Sequence, residues 1–206
     1  MVRSVGPLVA VPDRLRRLVE RGGDGLRQPA VAVRRDRWLA ALGPRAGLMD
    51  DLPDRLDRET VRGFVCERLI EGDAALAGFI ATQVWGYGTT GYGPTRVGAA
   101  LADPRLPAVL QAVGLRLRAR DPVGAFRVLC VEHRIPRLGA AFGSKYLYFA
   151  DPHRRSLILD RIVRDWLARH AAVCYPAGVM SASTRCGCSS PSNGQPSCGC
   201  RATGSK

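Results

Sequence analysis

The sequence predicts an all-α protein, an orthogonal multi-helix domain rather than a long bundle. Apolar residues recur at helical spacing in one segment after another, and no segment alternates convincingly enough for a strand. The periodic segments are also short and separated by frequent turns, which suits helices that cross one another more than helices that run side by side.

Pro12 opens a first helix with Leu15, Leu18 and Val19 inward, and Trp38, Leu39 and Leu42 mark a second. Asp57 or Thr60 starts a third, with Val61, Phe64, Val65 and Leu69 on one face. Gly72-Asp73 breaks it, and Asp73 can cap a fourth carrying Leu76, Phe79, Ile80 and Val84. The run Trp85-Gly-Tyr-Gly-Thr-Thr-Gly-Tyr-Gly-Pro94 is too glycine-rich for a regular element and reads as a loop. Helices are expected over about 94–102, 107–119 and 122–132, then a short one ending near Phe142. Another is expected over 144–150 and a last over 157–170, in which Ile158, Ile162 and Trp166 share a face with Leu159, Val163 and Leu167.

A length of 206 residues suits one domain with an appendage. Residues 1–175 form the helical domain, and 176–206 form a Gly/Ser/Pro/Cys-rich basic tail, expected to be disordered, with no acidic residue. No apolar run approaches the roughly 20 residues of a membrane span, and Met1–Ala10 lack the layout of a secretory signal. A soluble cytoplasmic protein, associated with the nucleoid and monomeric, is expected. The formal charge of +13 points to a polyanionic partner, and nucleic acid is the usual one, although a basic balance also serves solubility alone.

Of seven cysteines, Cys66, Cys130 and Cys174 lie in apolar periodic segments and read as core residues. Cys186, Cys188, Cys198 and Cys200 form two Cys-Gly-Cys pairs in the tail. Their one-residue gaps are shorter than those of most structural zinc sites, and no apolar residues surround them, so no metal and no cofactor is expected. His133 and His153 have no ligand-spaced partner.

The cations divide unevenly, into 29 Arg and two Lys. Lys206 ends the chain, so Lys145 is the one internal lysine. A lysine can lose its proton and attack carbon, whereas an arginine cannot. It lies in Ile135-Pro-Arg-Leu-Gly-Ala-Ala-Phe-Gly-Ser-Lys-Tyr-Leu-Tyr-Phe-Ala150, followed by Leu157-Ile-Leu-Asp160. Gly143-Ser144 is expected to break one helix and open the next, with Ser144 as cap and Lys145 in the first turn, where the helix dipole disfavours an ammonium. Phe142, Tyr146 and Phe149 would desolvate the amine further. Asp160 is a natural N-cap of the last helix, and a fixed carboxylate facing an amine suits a reaction that builds positive charge on a sugar carbon.

These residues resemble the helix-hairpin-helix and following Asp of the DNA glycosylase superfamily, and its 8-oxoguanine branch in particular. That branch typically carries Leu-Pro-Gly-Val-Gly-Thr-Lys, an apolar helix, and Pro-Val-Asp. The chain also resembles short bacterial proteins of this fold with Trp-Gly-Tyr-Gly and Ser-Lys-Tyr-Leu-Tyr-Phe-like motifs. By position, the resemblance makes Lys145 the Schiff-base lysine and Asp160 the essential aspartate. Gly143 and Ser144 match the second hairpin glycine and the Thr before the lysine. Ala141 stands in place of the first glycine, with Gly139 two residues earlier.

The resemblance implies excision of a flipped oxidised purine such as 8-oxoguanine from double-stranded DNA, with β-lyase activity left open. Gly139, Gly143 and Ser144 would meet DNA at the hairpin. Trp85, Tyr87, Tyr92 and Arg96 would meet it from the glycine-rich loop, with Tyr87 or Tyr92 filling the gap left by the flipped base. The alternative for the loop is a tight interhelical turn whose aromatics cap the core. Phe149, one turn beyond Lys145, and Phe142 would border the base pocket, or serve as core aromatics. For Lys145 the bland alternative is a solvated charge, and for Asp160 a plain cap. A non-catalytic DNA-binding or damage-sensing protein of the same fold is the alternative function. An unrelated helical protein that meets RNA or an acidic partner is a third.

Overall fold

The structure is a computed structural model that describes residues 10–21, 28–70 and 72–170. The expected tail at 176–206, its four cysteines and Cys174 lie outside the described residues. The helices are α1 (Asp13–Glu20), α2 (Arg35–Leu42), α3 (Arg58–Glu67), α4 (Gly72–Tyr87), α5 (Gly93–Leu101), α6 (Leu106–Arg118), α7 (Pro122–Arg127), α8 (Ala140–Ala150) and α9 (Arg161–His170). A 3-10 segment, Gly43–Met49, follows α2, and α7 runs on into a π-helical turn over Val128–Glu132. Among the described residues the one sheet is a minimal antiparallel pair of strands, β1 (Val31–Ala32) and β2 (Arg55–Leu56), in which Val31 faces Leu56. Two residues per strand are too few to show alternation in sequence. Among the described residues no helix is long and apolar enough to cross a membrane.

Helix α4 is the centre of the domain. Its residues Ala75 to Trp85 are buried on every side, so it is apolar all round rather than amphipathic, as a helix enclosed by others must be. It packs against α3, α6 and α8. Close approach depends on glycines: a Cβ on Gly78 would stand 3.4 Å from Val65 Cα, and one on Gly114 of α6 would stand 2.7 Å from the Leu69 carbonyl oxygen. The face expected for α3 is the buried one, with Val61, Phe64, Val65 and Leu69 all in the core.

Asp57 rather than Thr60 caps α3. Its carboxylate accepts from the Thr60 N–H at 2.7 Å, and that bond holds its pKa below the usual carboxylate range. Asp121 caps α7 in the same way, accepting from the Gly124 N–H at 2.8 Å. Asp73 is not a cap, because α4 begins at Gly72 and Asp73 lies in its first turn.

Three other boundaries differ from expectation. Helix α4 continues through Trp85-Gly86-Tyr87, so the loop shrinks to residues 88–92. Helix α8 starts at Ala140, and no break occurs at Gly143-Ser144. Helix α9 starts at Arg161, and 155–160 is irregular chain.

Several arginines hold the fold rather than face solvent. Arg35 donates to the Met49 carbonyl at 2.7 Å and to the Leu52 carbonyl, and pairs with Asp54 at 3.0 Å. Arg45 donates to the Leu101 carbonyl. Arg62 is buried, donates to the Asp151 carbonyl at 3.3 Å and lies 4.7 Å over the Tyr148 ring.

Candidate active site

Lys145 lies in the middle of α8, not in its first turn. The helix dipole therefore does little to its charge. Burial does the work instead. Desolvation pushes its pKa below the ordinary lysine value, and the Asp160 carboxylate opposes that shift. Its amine lies 4.4 Å from the centre of the Phe142 ring. Its aliphatic stem lies against α4 at Gly86, where a Cβ would stand 3.0 Å from Lys145 Cδ and 3.2 Å from Phe142 Cε1. Sequence reasoning read Gly86 only as part of a glycine-rich loop, and the signal for its packing role was a glycine between two aromatics at the end of an apolar helical run.

Phe142 stacks face to face on Tyr87, with centroids 3.9 Å apart and planes 15° apart. Tyr87 meets Tyr92 edge to face at 5.7 Å, and Arg96 lies 5.2 Å over the Tyr92 ring. Lys145, Phe142, Tyr87, Tyr92 and Arg96 thus form one continuous column. Its inner members are shielded and its outer ones are not: Tyr87 is 5 % exposed and Tyr92 is 58 % exposed. Burial raises the Tyr87 phenol pKa, partly offset by a hydrogen bond from Arg96. Gly93 makes room for the Tyr87 ring, since a Cβ there would stand 2.7 Å from its Cγ.

Asp160 is the N-cap of α9. Its carboxylate accepts from the Val163 N–H at 3.0 Å and its carbonyl from the Arg164 N–H at 3.0 Å. The chain that delivers it is tied down at Asp151, a buried residue that sequence reasoning missed. The Asp151 carboxylate accepts from the N–H groups of His153, Arg155 and Ser156 and from the Ser156 hydroxyl, at 2.7–2.9 Å. Burial alone would raise its pKa, but these bonds outweigh that and hold it below the usual value. An Asp five residues before a Ser was the trace of this knot in the sequence.

Three residues expected to meet DNA, and one expected to border the base pocket or serve the core, are inside the protein. Trp85 is 5 % exposed and meets Phe149 edge to face at 4.9 Å. Phe149 is 0 % exposed, so it is a core aromatic rather than a pocket wall. Gly143 lies within α8, where it lets the helix close onto Cys130, and a Cβ there would stand 2.7 Å from that sulfur. The Cys130 thiol is pushed up to about 12 by burial. Ser144 is 1 % exposed and its hydroxyl bonds within the protein.

The turn between the π-helical segment and α8 comes earlier than expected, over residues 133–139. Arg137 adopts φ 62° there, and Gly139 caps α8 at an exposed position. The expected alignment of Gly143-Ser144 with a hairpin turn fails because those residues serve packing inside the helix.

A family model described as "Putative 8-oxoguanine DNA glycosylase OGG-like protein" matches residues 24–192. The chain belongs to this OGG-like family. Neither the curated proteins nor the solved structures gave a match. The matched range spans the whole candidate site, from α2 to Asp160 and beyond. OGG-like membership agrees with the mostly helical fold, and it implies DNA glycosylase function and DNA binding.

Proposed function

We propose that this OGG-like protein excises an oxidised purine such as 8-oxoguanine from duplex DNA, with Lys145 as nucleophile and Asp160 as the supporting carboxylate. The observation that carries the reading is the desolvated amine of Lys145 on α8, within electrostatic reach of an Asp held by the first turn of α9. The neutral amine attacks C1′ of the flipped nucleotide. The N–C1′ bond forms as the glycosidic bond breaks, the bond's electron pair leaves with the base, and the base takes up the proton that the new ammonium releases. The fixed Asp160 carboxylate stabilises the positive charge that develops on the sugar. Ring opening then gives a Schiff base, from which loss of the 2′ proton and departure of the 3′ phosphate cleave the strand.

Tyr92 is the residue suited to fill the space left by the flipped base, because it is exposed beside Arg96 at the end of a rigid aromatic column. Phe142 borders the amine and is the candidate stacking surface for the base. Gly139, exposed at the α8 N-terminus, suits close backbone approach to phosphate.

Borohydride added during incubation with an 8-oxoguanine duplex is expected to trap a covalent protein–DNA adduct, and Lys145→Gln to abolish it. A wild-type protein that traps nothing and releases no base, yet binds the damaged duplex, would be a damage-binding protein of this fold. Affinity for duplex DNA is expected to fall with added salt, because phosphate contacts release counterions.

A further inference from the structure

One buried hydroxyl joins the two segments that carry Lys145 and Asp160. Ser144 Oγ accepts from the Leu159 N–H at 2.8 Å and donates to the Ala141 carbonyl at 3.1 Å. A serine hydroxyl has a single proton to give, so the second bond fixes the rotor and aims a lone pair at Leu159. Ser144 immediately precedes Lys145, and Leu159 immediately precedes Asp160. The tie therefore lies one residue from each partner.

A serine inside a helix commonly bonds back to a carbonyl three or four residues earlier, and that bond alone favours nothing over alanine. The acceptor side explains the residue better. Leu159 belongs to irregular chain between Ala150 and Arg161, where no helix or sheet ladder sets the register. Asp151 fixes the near end of that stretch through four hydrogen bonds. The Ser144 hydroxyl fixes the far end against α8.

We infer that Ser144 is a positioning residue whose hydroxyl sets the place of the Asp160 carboxylate relative to the Lys145 amine. The tie belongs to the fold, and its consequence for turnover rests on the glycosylase reading. The inference gives Ser144 a task different from a DNA contact, which its burial rules out.

The test reads the Lys145 amine directly. In the 206-residue chain labelled with 15N-lysine there are two lysine side chains, Lys145 and Lys206, and Lys145→Gln assigns them. An NMR titration of Ser144→Ala is expected to lower the Lys145 midpoint by about half a unit, as a nearby opposite charge loses its place. Ser144→Thr keeps a hydroxyl and should return most of the wild-type midpoint. In an Asp160→Asn background, Ser144→Ala should shift nothing further, because the charge it positions is gone. An unchanged midpoint in Ser144→Ala, or an equal shift in both backgrounds, overturns the inference. Should Ser144→Ala fail to fold, Ser144→Cys fills the same space with a weak acceptor and gives the same comparison.

A kinetic arm separates positioning from binding. In single turnover on an 8-oxoguanine duplex, Ser144→Ala should slow base release by about 10- to 100-fold, while the duplex Kd stays within about twofold. Equal losses in rate and Kd would point to general damage and count against the inference. A wild-type protein that releases no base refutes the glycosylase reading, and the titration still decides the tie.

Discussion

Gly86 lies directly beneath Lys145, so close that a Cβ there would stand 3.0 Å from Lys145 Cδ. The same Cβ would stand 3.2 Å from Phe142 Cε1, and Phe142 is itself pressed onto Tyr87. The ring has nowhere to retreat, so the lysine stem must move. In Gly86→Ala, better helix propensity, about 1 kcal/mol, offsets part of the crowding, and thermal stability should change little. Borohydride trapping should nonetheless slow by about 10-fold or more, because a displacement near 1 Å is costly at a reacting atom. Gel quantification of the adduct against time, beside a melting curve, tests both halves.

The protonation of Lys145 gives a pH signature. The unfolded chain holds this proton up to the ordinary lysine value of 10.5, and the folded protein releases it earlier. Stability therefore rises with pH across that window. Lys145→Met should melt higher than wild type at neutral pH, and the difference should close as pH approaches the ordinary lysine range. In the active protein the rate should rise with pH along a limb whose midpoint lies below that range. Melting curves and single-turnover rates from pH 6 to 10 would test each claim.

Tyr92 and Tyr87 should separate cleanly. Tyr92 is exposed, so Tyr92→Ala should leave stability within about 0.5 kcal/mol of wild type while weakening damaged-duplex binding by about 1–2 kcal/mol. Tyr87 is buried against Phe142, so Tyr87→Ala should cost about 3–5 kcal/mol of stability. Denaturant melts and fluorescence anisotropy distinguish the two.

Asp151→Ala strips an acceptor from three backbone N–H groups and one hydroxyl. The loss should be on the order of 2–4 kcal/mol, since buried donors left unpaired are costly. The folded protein holds this carboxyl below its usual pKa, so its contribution is complete above the unfolded value and fades as pH falls through the folded one. Wild type should therefore lose more stability than Asp151→Asn on acidification below about pH 4, the usual carboxylate range.

Much of the fold was legible because helical periodicity is local. The buried faces of α3 and α4 and the capping role of Asp160 could be read from residues a few positions apart. Lys145 drew notice through composition, as the single internal lysine among arginines. The failures share a cause. Gly143 and Gly86 were read as punctuation, because a glycine in sequence looks the same whether it turns the chain or admits a neighbour. The neighbours, Cys130 and Lys145, come from other helices. Trp85 was placed on a loop because four glycines follow it within eight residues, yet the core around α4 holds that turn helical. Ser144 looked like a cap because Ser after Gly commonly is one. Its true partner, the Leu159 N–H, is fifteen residues away and visible only once the chain has folded back.

The aromatic column leaves no compliant layer between the exposed Tyr92 and the amine. Tyr92, Tyr87, Phe142 and Lys145 touch in series, and tightly packed interiors transmit strain rather than absorb it. On the glycosylase reading, a change at the Tyr92 end of the column is therefore expected to reach the amine as well. A library selected only for tighter binding through positions 92 and 96 will drag the amine along with it. Variants that improve both binding and turnover will need paired changes at the two ends of the column, and single substitutions will trade one trait against the other.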